Sequence, residues 1–142
     1  GAGTPKVLDV GVITTPAVDP LEVRLERLHA AIAQVIDRFA PGLVVIEDLY
    51  SEYKFPKAAI LMGHARGVIC LAVRQAGAAL LALAPAEVKR VVAANGAASK
   101  AQVQRGVQML LGLERSPRPS HVADALALAL TGLSRAGARL SR

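Results

Sequence analysis

The chain has 142 residues, 53% of them hydrophobic and 20% charged, which excludes a disordered or fibrous chain and favours one domain with its own core. Only 3% are aromatic, so that core must be aliphatic. Lys and Arg total 17 against 11 Asp and Glu, a net charge of +6 that fits either a polyanionic partner or an inert basic surface.

The opening Gly-Ala-Gly-Thr-Pro reads as a turn and not as a secretory leader. Residues 6–15 are rich in β-branched side chains and predict a strand. After a loop at 16–20, Leu21, Leu25, Leu28, Ile32, Val35 and Phe39 recur at spacings of three and four and predict a helix over 21–39. Glu22 favours its positive end, and Pro41-Gly42 stops it. Leu43 to Tyr50 organises the rest. Its apolar run suits a strand buried on both faces, and the run ends in Glu47.

A polar stretch at 51–56 leads into a predicted helix over 57–75. Gly63 and Gly67 share one face of it, and each costs the helix about 1 kcal/mol relative to Ala. That cost predicts a close neighbour on this face, either a helix of this chain or one of a partner. Cys70, the single cysteine, lies in the same apolar pattern, rules out an intramolecular disulfide framework and fits a reducing cytosol. No uninterrupted apolar run reaches the ~18 residues of a membrane span. Gly77 ends the helix. A strand over 78–84, a short helix from Pro85 to about 93, a turn at 94–99 holding Asn95-Gly96 and a helix over 100–111 follow. A basic Pro-containing loop precedes Ser120, a plausible N-cap for the last helix, and the tail from 135 is basic. Strands alternating with helices predict an α/β layer structure.

Several residues carry possible chemistry. Glu47 either solvates a strand end or delivers a carboxylate to a site at the end of a parallel strand. His121 and Asp124, three apart, project from one helix face. Asp124 is either a first-turn acid facing the helix dipole or a ligand, because a carboxylate entering an otherwise apolar helix needs a partner. Lys89 and Lys100 lie near helix starts, where they are either solvated or in reach of phosphates. Tyr50, Tyr53 and Phe55 place three of four aromatics in one polar loop beyond Glu47, available to stack on unpaired bases or to form a small local cluster.

In chain order, the notable stretches are Gly11-Val12-Ile13-Thr14-Thr15-Pro16, the strand ending in Glu47, Gly63-His64-Ala65-Arg66-Gly67, Pro85-Ala86-Glu87-Val88-Lys89, Lys100-Ala101-Gln102-Val103-Gln104 and His121-Val122-Ala123-Asp124-Ala125-Leu126-Ala127. Together they resemble the RuvC-type Holliday junction resolvases, a bacterial family on the ribonuclease H-like fold. They fall in the family's order and near its spacing, from about Val7 to the end of the final helix.

The resemblance implies a mixed sheet flanked by helices, in a single domain over residues 1–142. It implies a homodimer that binds four-way DNA junctions and nicks two opposed strands, acting in recombination and repair in the bacterial cytoplasm, with a branch-migration helicase complex as a further partner and no membrane. It implies two Mg²⁺ ions, with Glu47, His121 and Asp124 as catalytic and metal-binding residues. It places Tyr50, Lys89 and Lys100 on the DNA, and Gly63 and Gly67 in the dimer interface. An imidazole ligand must be neutral, so activity should rise through about pH 6.5, and it suits Mn²⁺, which should substitute for Mg²⁺. The family begins with a strand carrying a catalytic Asp in an Asp-Pro-Gly type motif. No Asp-Pro-Gly occurs here, and Asp9 and Asp19 lie in the next strand and loop. The sequence therefore reads as an N-terminally incomplete piece of a longer protein. Two other readings are a module that holds branched DNA without cutting, as the missing Asp would allow, and a related nuclease acting on other branched or hybrid substrates.

Overall fold

The computed structural model describes residues 4–48, 55–137 and 140. Its elements are α1 (Leu21–Phe39), β1 (Leu43–Glu47), α2 (Pro56–Gln75), β2 (Ala79–Leu83), α3 (Pro85–Ala93), α4 (Lys100–Leu111) and α5 (Ser120–Arg135). β1 and β2 pair side by side. The Ala79 N–H donates to the Gly42 carbonyl (3.2 Å), and the Asp48 N–H donates to the Leu83 carbonyl (2.9 Å). Residue numbers rise together along both strands, so the pair is parallel, with α2 as its crossover.

The α/β reading holds, with one difference: residues 6–15 contribute no strand. The side chain of Asp9 accepts the Val10 N–H (2.9 Å), which occupies a donor that a ladder would need. Leu8 is 80% exposed and Val12 53%, so this stretch has the β-branched composition of a strand without its burial.

The chain divides into two compact units. One comprises Gly1–Val12, Val45–Asp48 and Leu81–Arg142, and so holds α3, α4 and α5. Its core joins Leu83, Val88, Val92, Val103, Val107, Leu110, Ala127 and Leu130, with Val45 and Leu81 packed against them. No aromatic ring among the described residues enters that core. Each fully buried Val or Leu contributes about 1.5–3 kcal/mol of transfer free energy, so this cluster is the main source of the unit's stability.

Backbone details fix the three helices. Pro85 sits in the first turn of α3, where its missing N–H costs nothing. Ser99 caps α4 through a capping box: its Oγ accepts the Gln102 N–H (3.2 Å), and Gln102 Oε1 accepts the Ser99 N–H (2.8 Å). Gly106 lies against α3 so closely that a Cβ there would stand 2.1 Å from the Val92 carbonyl oxygen. The N-cap of α5 is Pro119, not Ser120; the Val122 N–H donates to the Pro119 carbonyl (2.9 Å), so Ser120 already lies inside the helix. α5 is also less apolar all round than its sequence suggested. Val122, Ala123, Ala127 and Leu130 are buried, while Asp124, Ala125 and Ala129 face outward.

Arg135 of α5 clasps Glu87 of α3 with two hydrogen bonds, 2.6 and 3.1 Å long. Arg135 holds the Glu87 carboxyl below its ordinary value near 4.5, with Arg90 assisting. A depressed folded-state value means stability that is present above the ordinary carboxylate range and lost as pH falls through the folded value. Glu87→Gln should therefore lower the urea midpoint at pH 7, modestly for so exposed a pair, and the gap from wild type should narrow as pH falls through the folded-state value. A gap that did not narrow in acid would assign the effect to packing instead.

The second unit comprises Ile13–Val44 and Leu49–Leu80, with α1 against α2. Among its described residues, Ile36, Ala72 and Val73 are buried. The buried line of α1 thus runs through Ile36, while Val35, which the spacing placed inside, is 50% exposed. Arg27 pairs with Asp19 (2.6 Å), and His29 hydrogen-bonds Gln75 (2.8 Å). The front of α2 is open. Ile60, Leu61 and Met62 are exposed, and apart from the helix's own neighbouring backbone no described atom lies within 4 Å of where a Cβ would stand on Gly63 or Gly67. The close approach expected at these glycines is therefore not made by the described residues of this chain. By length and composition alone, α2 is also the one described helix apolar enough to cross a membrane (mean hydropathy 1.3), although Lys57, His64, Arg66 and Arg74 interrupt it.

Candidate active site

Glu47 is the last residue of β1 and is exposed. Side chains two apart on a strand share a face. Val45 packs on the core beneath α3, α4 and α5, so Glu47, two residues on, emerges on that same side at the strand's end. The Asp48 N–H, held by the Leu83 carbonyl, anchors the chain immediately after it.

A pocket of about 330 Å³ opens there. Glu47 enters from β1, Pro85, Val88 and Lys89 from α3, Lys100 and Val103 from α4, and Asp124, Ala127 and Leu128 from α5. The spacings explain the grouping: 100 and 103, and 124, 127 and 128, are neighbours on one helix face. The inner residue of each set, Val103 or Ala127, belongs to the core, and the outer one carries the charge. The result is an apolar floor with two carboxylates and two ammonium groups at its rim. Lys100 Nζ stands 3.6 Å from Asp124 Oδ2.

Glu47, Asp124, Lys89 and Lys100, read separately from the sequence, are thus brought together. His121 is not among the pocket-lining residues. It is exposed, one turn before Asp124, and three residues along a helix fall about 60° short of a full turn. Among the described residues no three His, Cys, Asp or Glu side chains converge as cation ligands. Tyr50 lies outside the described residues.

Two carboxylates at one pocket fit a single hydrated hard cation, because Mg²⁺ keeps several waters and takes one or two protein carboxylates. A second cation would need donors beyond these two. Spacing could also have revealed two supports that were missed. Ser99-Lys100-Ala101-Gln102 is a capping-box signature that orients the first turn of α4, and Gly106 is a lone glycine inside a helical pattern.

The sequence model described as crossover junction endodeoxyribonuclease RuvC matches residues 1–132. The chain belongs to the RuvC family. The crossover junction endodeoxyribonuclease RuvC of Moorella thermoacetica is 45% identical over 129 residues, covering 91% of this chain and 77% of that protein. The RuvC of Rhodopirellula baltica is 44% identical over 124 residues, covering 87% and 70%. The Thermus thermophilus RuvC structure superposes with a TM-score of 0.85 at 37% identity, covering 96% of this chain and 83% of that one. A structure of T. thermophilus RuvC in complex with Holliday junction substrate superposes with a TM-score of 0.82 at 34% identity, covering 96% and 84%. The ribonuclease H-like architecture of RuvC is therefore the architecture of this chain.

Proposed function

We propose that this protein is a structure-selective DNA endonuclease that binds four-way junctions and nicks opposed strands in recombination and repair. One observation carries the reading: Glu47 and Asp124, far apart in sequence, meet in a pocket that also holds Lys89 and Lys100. Carboxylates repel a phosphodiester, and lysines attract it. A site with both suits a phosphate bound beside a cation.

In this reading Lys89 and Lys100 bind backbone phosphates. Glu47 and Asp124 hold the cation, and the apolar floor of Val88, Val103 and Ala127 limits water to the reacting face. When bound, divalent cations activate water for attack on phosphorus and stabilise the departing 3′-oxygen. Two Mg²⁺ ions per site, with Mn²⁺ able to replace them, would require donors in addition to Glu47 and Asp124. His121 serves as one of these or orients the attacking water. Tyr50, next to the pocket in sequence, stacks on an unpaired base at the junction. The open face of α2 at Gly63 and Gly67 pairs with a second copy, which supplies the second nick. Residues 1–142 act as one domain, in the bacterial cytoplasm, alongside a branch-migration helicase complex.

The test is incubation of the purified protein with a labelled four-way junction in Mg²⁺ and in EDTA. Paired symmetric nicks that need Mg²⁺ are expected of the protein that also carries the N-terminal Asp-Pro-Gly strand. Binding without nicks in either condition would instead support a module that holds branched DNA, a reading favoured by the lack of three converging ligands among the described residues.

A further inference from the structure

The Lys100–Asp124 contact is loose. At 3.6 Å it is an ion pair beyond hydrogen-bonding distance, and the two side chains are 60% and 49% exposed. Water reaches both partners, and either can be replaced by another charge. Lys100 is nonetheless firmly based: it is the first residue of α4, and the Ser99–Gln102 capping box fixes the backbone on which it stands. Its four-carbon stem is free to swing its point charge from that base.

The ammonium of Lys100 sits beside the Asp124 oxygen that a divalent cation would take. Two cations at one carboxylate oppose each other, so the arrival of a divalent ion expels Lys100. A phosphate is the natural destination for the expelled ammonium, and the pocket is open enough to admit one. We infer that Lys100 is a placeholder: it neutralises Asp124 in the free protein and moves to a backbone phosphate when a divalent cation binds Asp124, so that cation and DNA bind cooperatively. By linkage, the factor by which DNA tightens the cation equals the factor by which the cation tightens DNA. Lys100 is thus a positioning residue as well as a phosphate contact. The inference rests on the cation reading of Glu47 and Asp124 given above.

The test uses DNA-free protein and the Mn²⁺ ion alone, with free Mn²⁺ counted by electron paramagnetic resonance. Lys100→Met should bind Mn²⁺ roughly two- to five-fold more tightly than wild type, the range set by an exposed ion pair. Lys100→Arg should match wild type, because it keeps the charge. Asp124→Asn should remove this binding, and Lys100→Met should then have no further effect. If wild type shows no Mn²⁺ binding that Asp124→Asn removes, the cation site itself is wrong and the placeholder falls with it. If Asp124-dependent binding is present but Lys100→Met binds equally or more weakly, the placeholder alone is wrong.

Discussion

Asp124→Asn is expected to leave four-way junction binding intact while lowering nicking by at least ~10²–10³-fold, the usual cost of removing one preorganised electrostatic group from an active site. The substitution keeps the shape of the side chain and removes its charge. Folding should hardly register it, because Asp124 is half exposed and exchanges only a loose ion pair with Lys100. Binding should hold or tighten, since the pocket loses a negative charge and Lys100 is released toward the DNA. Nicking should fail because an amide is a poor ligand for a hard cation. A band-shift titration and a single-turnover nicking assay on one preparation would separate the two quantities. Nicking at the wild-type rate would return Asp124 to the modest role of a first-turn acid facing the dipole of α5.

The second large effect is structural. Gly106→Ala would place a methyl group 2.1 Å from the Val92 carbonyl oxygen and 2.9 Å from a Val92 methyl. Real Cβ atoms do not approach backbone so closely, so α3 and α4 must separate. Overpacking of this kind costs about 1–3 kcal/mol, and contact with main chain belongs at the upper end. Helix propensity alone predicts the opposite sign, a gain of about 1 kcal/mol. We expect the clash to dominate and the Tm to fall by several degrees, at roughly 3–4 °C per kcal/mol for a chain of this size. A thermal melt followed by circular dichroism decides it. A raised Tm would mean that α4 can lift away from Val92 at little cost. Separation of α3 from α4 would also move Lys89 relative to Lys100, so surviving protein should bind DNA less well.

The helices were the most legible part of the chain. Periods of three and four marked α1, and Pro85 marked the start of α3, because those signals are local and act wherever the residues lie. Residues 6–15 misled because β-branched composition measures fitness for a pleated surface, and a strand also needs a neighbour to bond. Ser120 misled because the competing cap, Pro119, offers only its backbone carbonyl, which no side-chain pattern advertises. The site was half legible. Glu47 and Asp124 stood out by their chemistry, but their meeting depends on how β1 and α5 pack, which neither stretch encodes alone. The Glu87–Arg135 clasp spans 48 positions and was invisible for the same reason. Gly106 was in plain view as a lone helical glycine, yet only the position of Val92 gives it a purpose.

The aliphatic core has an optical consequence. The chain has no Trp, and its two tyrosines, Tyr50 and Tyr53, both follow closely on Glu47 in sequence. Among the described residues no aromatic ring lies in the core cluster. Tyrosine emission therefore originates in the segment that follows Glu47 in sequence. A change in that emission when DNA is added reports on the segment following Glu47.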